Sequence, residues 1–373
     1  MSGIFRWAND PGDPPRLLVV GGASLDVLHV AGRPVASAGG AGLYTSLAAA
    51  RSGASVTMLA PRPEPMPEPL LPAGRWIEWV GPTVGPEGLP HFEIAYGPDG
   101  EVTRFESRGG AEPDLRPGLL DGIGDLPPMA FCVPFLDPDL QLAFVEDLRG
   151  RGVLTAANTY ACGAGERREV VLRTAAASDV FFCNETEAEL LWGSVEDVFC
   201  EPGHLVYVTL GSRGAVVVQG SHHTPLPAVP AEAVNPTGAG DTFCGTVLAR
   251  LAAGAHPVEA ARHGTAAAAA TVAAIGPRRL LDAEPIPEPE PDRSARGHRN
   301  PRGRGRVAGR RARRSGAVPV HRAGTAEGRR AWGTRLLLLG DAPAVRVLDP
   351  LRRALPPPHL RHRRRGAPQG QRL

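Results

Sequence analysis

From Arg16 onward the chain alternates short β-branched runs with Ala- and Leu-rich stretches of helical period: LLVVGG, then LYTSLAAARSG, then SVTMLAP. A strand, helix, strand succession implies a parallel sheet, because the chain must cross over a face of the sheet to re-enter it in the same direction. The theme returns downstream. The pattern predicts strands at 129–134, 153–157, 180–183 and 205–210, and helices at 138–149, 167–177 and 185–192, with Gly152 and Gly203 placed where a helix hands over to a strand. The expected fold class is therefore α/β, a doubly wound three-layer sandwich.

Between residues 76 and 107 the period changes. WIEWV, HFEIAY and EVTRFES alternate apolar and polar residues and are separated by Gly-Pro-Glu-Gly and Gly-Pro-Asp-Gly. Such segments predict a small inserted antiparallel sheet, in a place where it would cover a site as a lid. Charge marks another boundary: residues 1–292 hold 19 Arg against 36 acids, and residues 293–373 hold 22 Arg against 3, net charges of −17 and +19. The organisation expected is a disordered segment 1–15, one catalytic domain 16–285, a Pro/Glu linker 286–292 and a low-complexity tail 293–373. Arg, Ala, Gly and Pro are the residues of GC-rich codons, so an out-of-frame reading of GC-rich coding sequence accounts for the tail better than a nucleic-acid arm, which would carry lysine and more aromatic residues than Trp332.

The sequence contains no lysine. A GxxxxGK[ST] phosphate loop, a protein-kinase strand lysine and a Schiff-base enzyme are all excluded, so phosphate chemistry must rest on backbone amides, metal and arginine. The five cysteines, 132, 162, 183, 200 and 244, form no CxxC pair and suggest neither zinc nor disulfides. No basic stretch followed by an apolar run opens the chain, and a cytoplasmic location is expected.

The segment richest in chemistry is Asn235-Pro-Thr-Gly-Ala-Gly-Asp241, a two-glycine turn running into an amphipathic helix. Free amides and the dipole at a helix start favour an anion, so Gly238, Ala239, Gly240 and Asp241 can form a phosphate hole. Asp241 adds a carboxylate able to take the proton of an attacking hydroxyl. An isolated Asp in a first turn most often only complements the dipole; the flanking glycines favour the catalytic role.

This segment resembles the C-terminal signature of the ribokinase, or PfkB-type, carbohydrate kinase family, and further marks of that family follow in order over residues 16–280. The resemblance implies a ribokinase-like fold and ATP- and Mg²⁺-dependent transfer of a phosphoryl group to an alcohol on a sugar, polyol or nucleoside-like acceptor. It makes Asp241 the base, with Gly238, Ala239 and Gly240 as the anion hole. Asp26, in GGASLD, and Gly39 and Gly40, in GGAG, are implied to bind acceptor, with Tyr44 and the lid residue Phe92 beside them. Asn184 and Glu187, in NETE, are implied to organise Mg²⁺ and its water shell; they also read as a helix cap followed by a capping-box Glu, and the two readings are compatible. Thr209, Gly211 and Gly214, in TLGSRG, together with Thr237, are implied to hold the nucleotide, and an Ala-rich helix at 262–275 to wall the adenine.

Two departures bear on the acceptor and on ions. Ala41 and Tyr44 replace the Lys and Asn that often follow the double glycine, so Arg104 or Arg108 would have to supply a cation. Asn235 stands where relatives usually have Asp, which weakens any monovalent-cation site. A small-molecule alcohol is the expected partner and a homodimer through the lid a candidate assembly; membrane and nucleic acid are not expected. The rival readings are a non-catalytic sugar or nucleotide sensor on the same fold, and a nucleic-acid binder acting through the tail.

Overall fold

The computed structural model describes residues 13–30, 32–96, 102–135, 137–282 and 289. The expectations for residues 1–12, for most of the linker, for the tail and for the Gly-Pro-Asp-Gly turn lie outside them. Along the chain run β1 (Arg16–Val20), β2 (Ser24–Val30), β3 (Arg33–Gly39), α1 (Ala41–Arg51), β4 (Ser55–Leu59), β5 (Arg62–Pro63), β6 (Ile77–Val80), β7 (Thr83–Val84), β8 (His91–Tyr96) and β9 (Val102–Arg108). Then come β10 (Met129–Cys132), α2 (Pro138–Gly150), β11 (Leu154–Asn158), α3 (Ala161–Glu166), α4 (Arg168–Ala177), β12 (Val180–Asn184), α5 (Glu185–Trp192) and β13 (Leu205–Thr209). The described chain closes with β14 (Ala215–Gln219), β15 (His222–Leu226), α6 (Ala239–Ala252), α7 (Pro257–Val272) and α8 (Arg278–Leu281).

Nine strands form one sheet in the order β15-β14-β13-β12-β11-β10-β1-β4-β6. All pairings from β13 to β6 are parallel, and β14 and β15 add an antiparallel edge. The central strands are covered on both faces, which is why LLVV and MAFC read as unbroken apolar runs rather than alternating ones. Helices α1, α6, α7 and α8 pack together, and α2 to α5 form a second group. The expected three-layer sandwich is what the chain adopts.

Local chemistry positions these elements. Asp137 caps α2, its Oδ1 accepting from the Asp139 amide at 3.0 Å, and Pro138 opens the helix where a missing N–H costs nothing. The buried Gln141 one turn on donates through Nε2 to the carbonyls of Cys132 (2.9 Å) and Asn158 (2.7 Å), tying together the ends of β10 and β11. An aromatic cluster seats α6 on the sheet: Phe182 stacks on Tyr207 at 5.1 Å between centroids, and Phe243 meets both rings edge-on. Burying each such ring is worth about 1.5–3 kcal/mol. Among the described residues no helix is long and apolar enough to cross a membrane.

The small sheet differs from the expectation for 76–107. Its order is β3-β2-β8-β9, with β2 and β8 parallel and both outer pairs antiparallel. WIEWV does not belong to it: β6 extends the large sheet, with Val56 opposite Ile77. A half-buried edge strand alternates in the same way whichever sheet it joins, so period alone could not assign it.

Candidate active site

The turn before α6 is held at both ends. Val272 O, at the end of α7, accepts from the amides of Val234 (2.7 Å) and Asn235 (3.0 Å), and Gly238 O accepts from Thr242 N at 2.8 Å. Gly238 has φ +76°, and a Cβ there would come within 2.3 Å of the Tyr44 ring on α1. Only glycine satisfies both constraints. The amides of Gly240 and Asp241 lie within the first turn of α6 and lack an intrahelical partner, whereas that of Ala239 turns back to Pro236 O at 3.3 Å. One of the four amides expected in the anion hole is thus engaged by the turn itself.

Asp241 is half-buried, its carbonyl accepting from Thr45 Oγ1 at 3.3 Å. Burial pushes its carboxyl up to about 6. Glu187 stands within its field: burial, joined by the Asp241 charge, lifts the Glu187 carboxyl to about 7 against the opposing hydrogen bonds from Asn184. Those bonds form a complete capping box at the start of α5. Glu187 N donates to Asn184 Oδ1 (2.9 Å), while Asn184 N and Nδ2 donate to the two Glu187 oxygens at 2.9 and 2.8 Å.

Asn184 is thus the cap of α5, with one lone pair of its Oδ1 taken by the Glu187 amide, and the capping role is compatible with organising the water shell of an ion. A buried Glu187 whose proton affinity is raised by burial and by the Asp241 charge, next to an Asp241 raised by burial, suits a divalent cation, which would relieve both. Mg²⁺ keeps much of its water and needs few direct protein ligands, so Glu187 and Asp241 fit it. Among the described residues no group of three or more ligand-type side chains is arranged to hold a metal directly. Asn235 is fully buried and neutral, with both amide atoms lacking hydrogen-bond partners, so a monovalent cation finds no carboxylate there.

A cavity of about 580 Å³ opens beside α6. Its lining includes Thr209, Gly211, Gly214, Ala239, Gly240 and Ala268 of α7. An apolar slot ending on helix amides matches a nucleotide, base in the slot and phosphates at the helix start. The structure thus gathers three of the four expected nucleotide residues, while Thr237 lies in the turn outside the lining.

The expected acceptor residues meet at the start of α1. Ser24 pairs with Gly39 across β2 and β3, and a Cβ on Gly39 would stand 1.8 Å from Asp26 Oδ2. Gly40 precedes α1 directly. Asp26 is 4% exposed, its Oδ1 has no hydrogen-bond partner, and burial, opposed by bonds from Ser24 and Phe92, pushes its carboxyl up to about 6. An orphaned buried carboxylate oxygen beside a backbone kept bare by glycine is suited to a hydroxyl donor.

Three expected residues fall elsewhere. Tyr44 is 1% exposed and packs under the Gly238 turn as part of the core, where it shapes the turn. Arg104 pairs with Glu93 and Glu106, each at 3.0 Å, and Glu93 also accepts from His29 Nε2 at 2.7 Å. Val27 pairs with Glu93, Ala95 with Arg104 and His91 with Arg108, whereas Asp26 alternates to the other face. The pleat puts both arginines opposite the acceptor side. Sequence reasoning also passed over Asn158, a buried polar residue at the carboxyl end of the LTAAN strand; an Asn at the end of a core strand was the available signal.

The comparisons bear on the family and the fold. The pfkB family carbohydrate kinase model matches residues 156–284. A cytidine kinase of Thermococcus kodakarensis is 29% identical over 262 residues, covering 65% of this chain and 90% of the relative. The solved adenosine kinase of Sinorhizobium meliloti superposes with a TM-score of 0.62 at 20% identity, over 73% of this chain and 97% of that one. The Burkholderia thailandensis nucleoside kinase, solved with inosine, gives 0.57 at 17% identity over 73% and 94%. Residues 156–284 thus carry a match to the pfkB family of carbohydrate kinases, phosphotransferases whose acceptor is a hydroxyl group, and the chain has the ribokinase-like fold of the solved kinases.

Proposed function

We propose that the chain transfers the γ-phosphoryl group of ATP to a hydroxyl of a nucleoside, with Asp241 as the general base. The observation that carries this reading is the Asp241 carboxylate in the first turn of α6, beside unpaired amides at one end of the cavity. The cavity holds the nucleotide, and the amides of Gly238, Gly240 and Asp241 bind its phosphates. Asp26 grips an acceptor hydroxyl while the bare backbone at Gly39 and Gly40 lets the sugar lie close. Asp241 removes the proton from the attacking oxygen, and the helix amides offset charge on the transferring group. Mg²⁺, when bound near Glu187 and Asp241, neutralises phosphate charge.

A nucleoside is favoured over a free sugar by the similarity to a cytidine kinase over 90% of that relative's length.

ADP release over cytidine, adenosine, inosine and ribose tests the reading. Asp241→Asn is expected to lower kcat by about 10²–10⁴-fold with little change in either KM. With a carboxyl titrating near 6, wild-type kcat/KM should rise with pH through that value and then level off. Full turnover by Asp241→Asn would remove Asp241 as base.

A further inference from the structure

At the carboxyl ends of the parallel strands, Val20 pairs with Cys132 and Cys132 with Ala157, so Gly21, Val133 and Asn158 share the next row across β1, β10 and β11. Open α/β sheets bind ligands beyond these ends. Asn158 pairs in turn with Phe182 on β12, and paired residues point to the same face of a sheet. The Phe182 ring meets Phe243 of α6 at 6.3 Å, which fixes that face as the one covered by α6 and its neighbour α1. These are the helices that begin at the acceptor glycines and at the Asp241 turn.

Asn158 is 8% exposed, and its Oδ1 has no hydrogen-bond partner. Its backbone is held by Gln141, itself 2% exposed, through the 2.7 Å bond to the Asn158 carbonyl. Leaving a buried amide oxygen without a donor is costly. A hydrogen-bond donor entering beyond the strand ends, on the face covered by α1 and α6, would supply the missing partner.

We propose that Asn158 is an acceptor-binding residue whose Oδ1 accepts from a sugar hydroxyl other than the one phosphorylated, so that it discriminates ribosides from their deoxy analogues. The assignment rests on the nucleoside-kinase reading above. Steady-state ADP release by the full chain, with cytidine, adenosine and their 2′- and 3′-deoxy forms varied at saturating ATP, tests it. Wild type should prefer the riboside to at least one deoxy form by about tenfold in kcat/KM. Asn158→Ala should lose about that factor on the riboside, bring the preference to within about twofold and leave KM for ATP within about twofold. Asn158→Leu, similar in volume, carries the same expectation if the alanine variant does not fold, and Asn158→Asp, which keeps an accepting oxygen, should retain the preference.

A preference that persists in Asn158→Ala, equal use of all forms by wild type, or a parallel rise in KM for ATP would each overturn the assignment, the last pointing to a structural role. Wild type that phosphorylates no riboside sinks the nucleoside reading and this assignment with it. Active wild type matched by Asn158→Ala sinks the assignment alone.

Discussion

Asp241 is pulled in two directions: the dipole of α6 favours its charge, and burial opposes it. Burial wins, since the carboxyl is raised to about 6. A raised carboxyl binds its proton more tightly folded than unfolded, so the stability tied to that proton is present below the unfolded value and is lost as pH rises through 6. Asp241→Asn, uncharged and of the same shape, should therefore be more stable than wild type at pH 8, by on the order of 1–3 kcal/mol, with the gap closing toward pH 4. Denaturant titrations across that range measure it; a gap independent of pH would contradict the burial argument. Gly39→Ala tests the other half of the site. Its methyl group must displace the Asp26 carboxylate, so kcat/KM for the acceptor should fall by at least about tenfold while KM for ATP holds. Both glycine clusters were legible in the sequence because a demand for bare backbone shows directly as glycine. Tyr44 and Arg104 were not, because the letters state a side chain's chemistry but not which face of an element turns it inward.

The elements show the same division. Strands β1, β4 and β10 to β13 were readable from apolar runs, whereas β2 and β3 were missed for a physical reason. In β2 the polar Ser24 and Asp26 point inward and are buried, while Leu25 and Val27 are only half-buried. A strand that buries a carboxylate and a hydroxyl inverts the usual pattern, as expected where a functional demand overrides the local signal. At α5 the cap and the metal reading are separable. Asn184→Ala removes the capping box and should cost about 1–2 kcal/mol in unfolding experiments whether or not Mg²⁺ is present. Glu187→Gln, in contrast, should raise the Mg²⁺ concentration needed for half-maximal activity; an unchanged requirement would leave Glu187 as a cap alone.

At the scale of the whole molecule, the solved relatives are covered over 94–97% of their lengths by about 73% of this chain. Removing residues 293–373 changes the net charge from +2 to −17. The shortened chain should bind an anion exchanger at neutral pH yet keep its kcat, its KM values and its melting temperature; loss of activity on truncation would give the tail a catalytic part. The two sheets also divide the labour. The large sheet carries the strand ends and the helices around the cavity and Asp241, whereas Asp26 belongs to β2 of the small sheet. On the proposed reading, the residue that grips the acceptor and the residues that bind the nucleotide thus sit on different sheets. A site that needs both sheets in register to be complete would curb idle loss of phosphate to water.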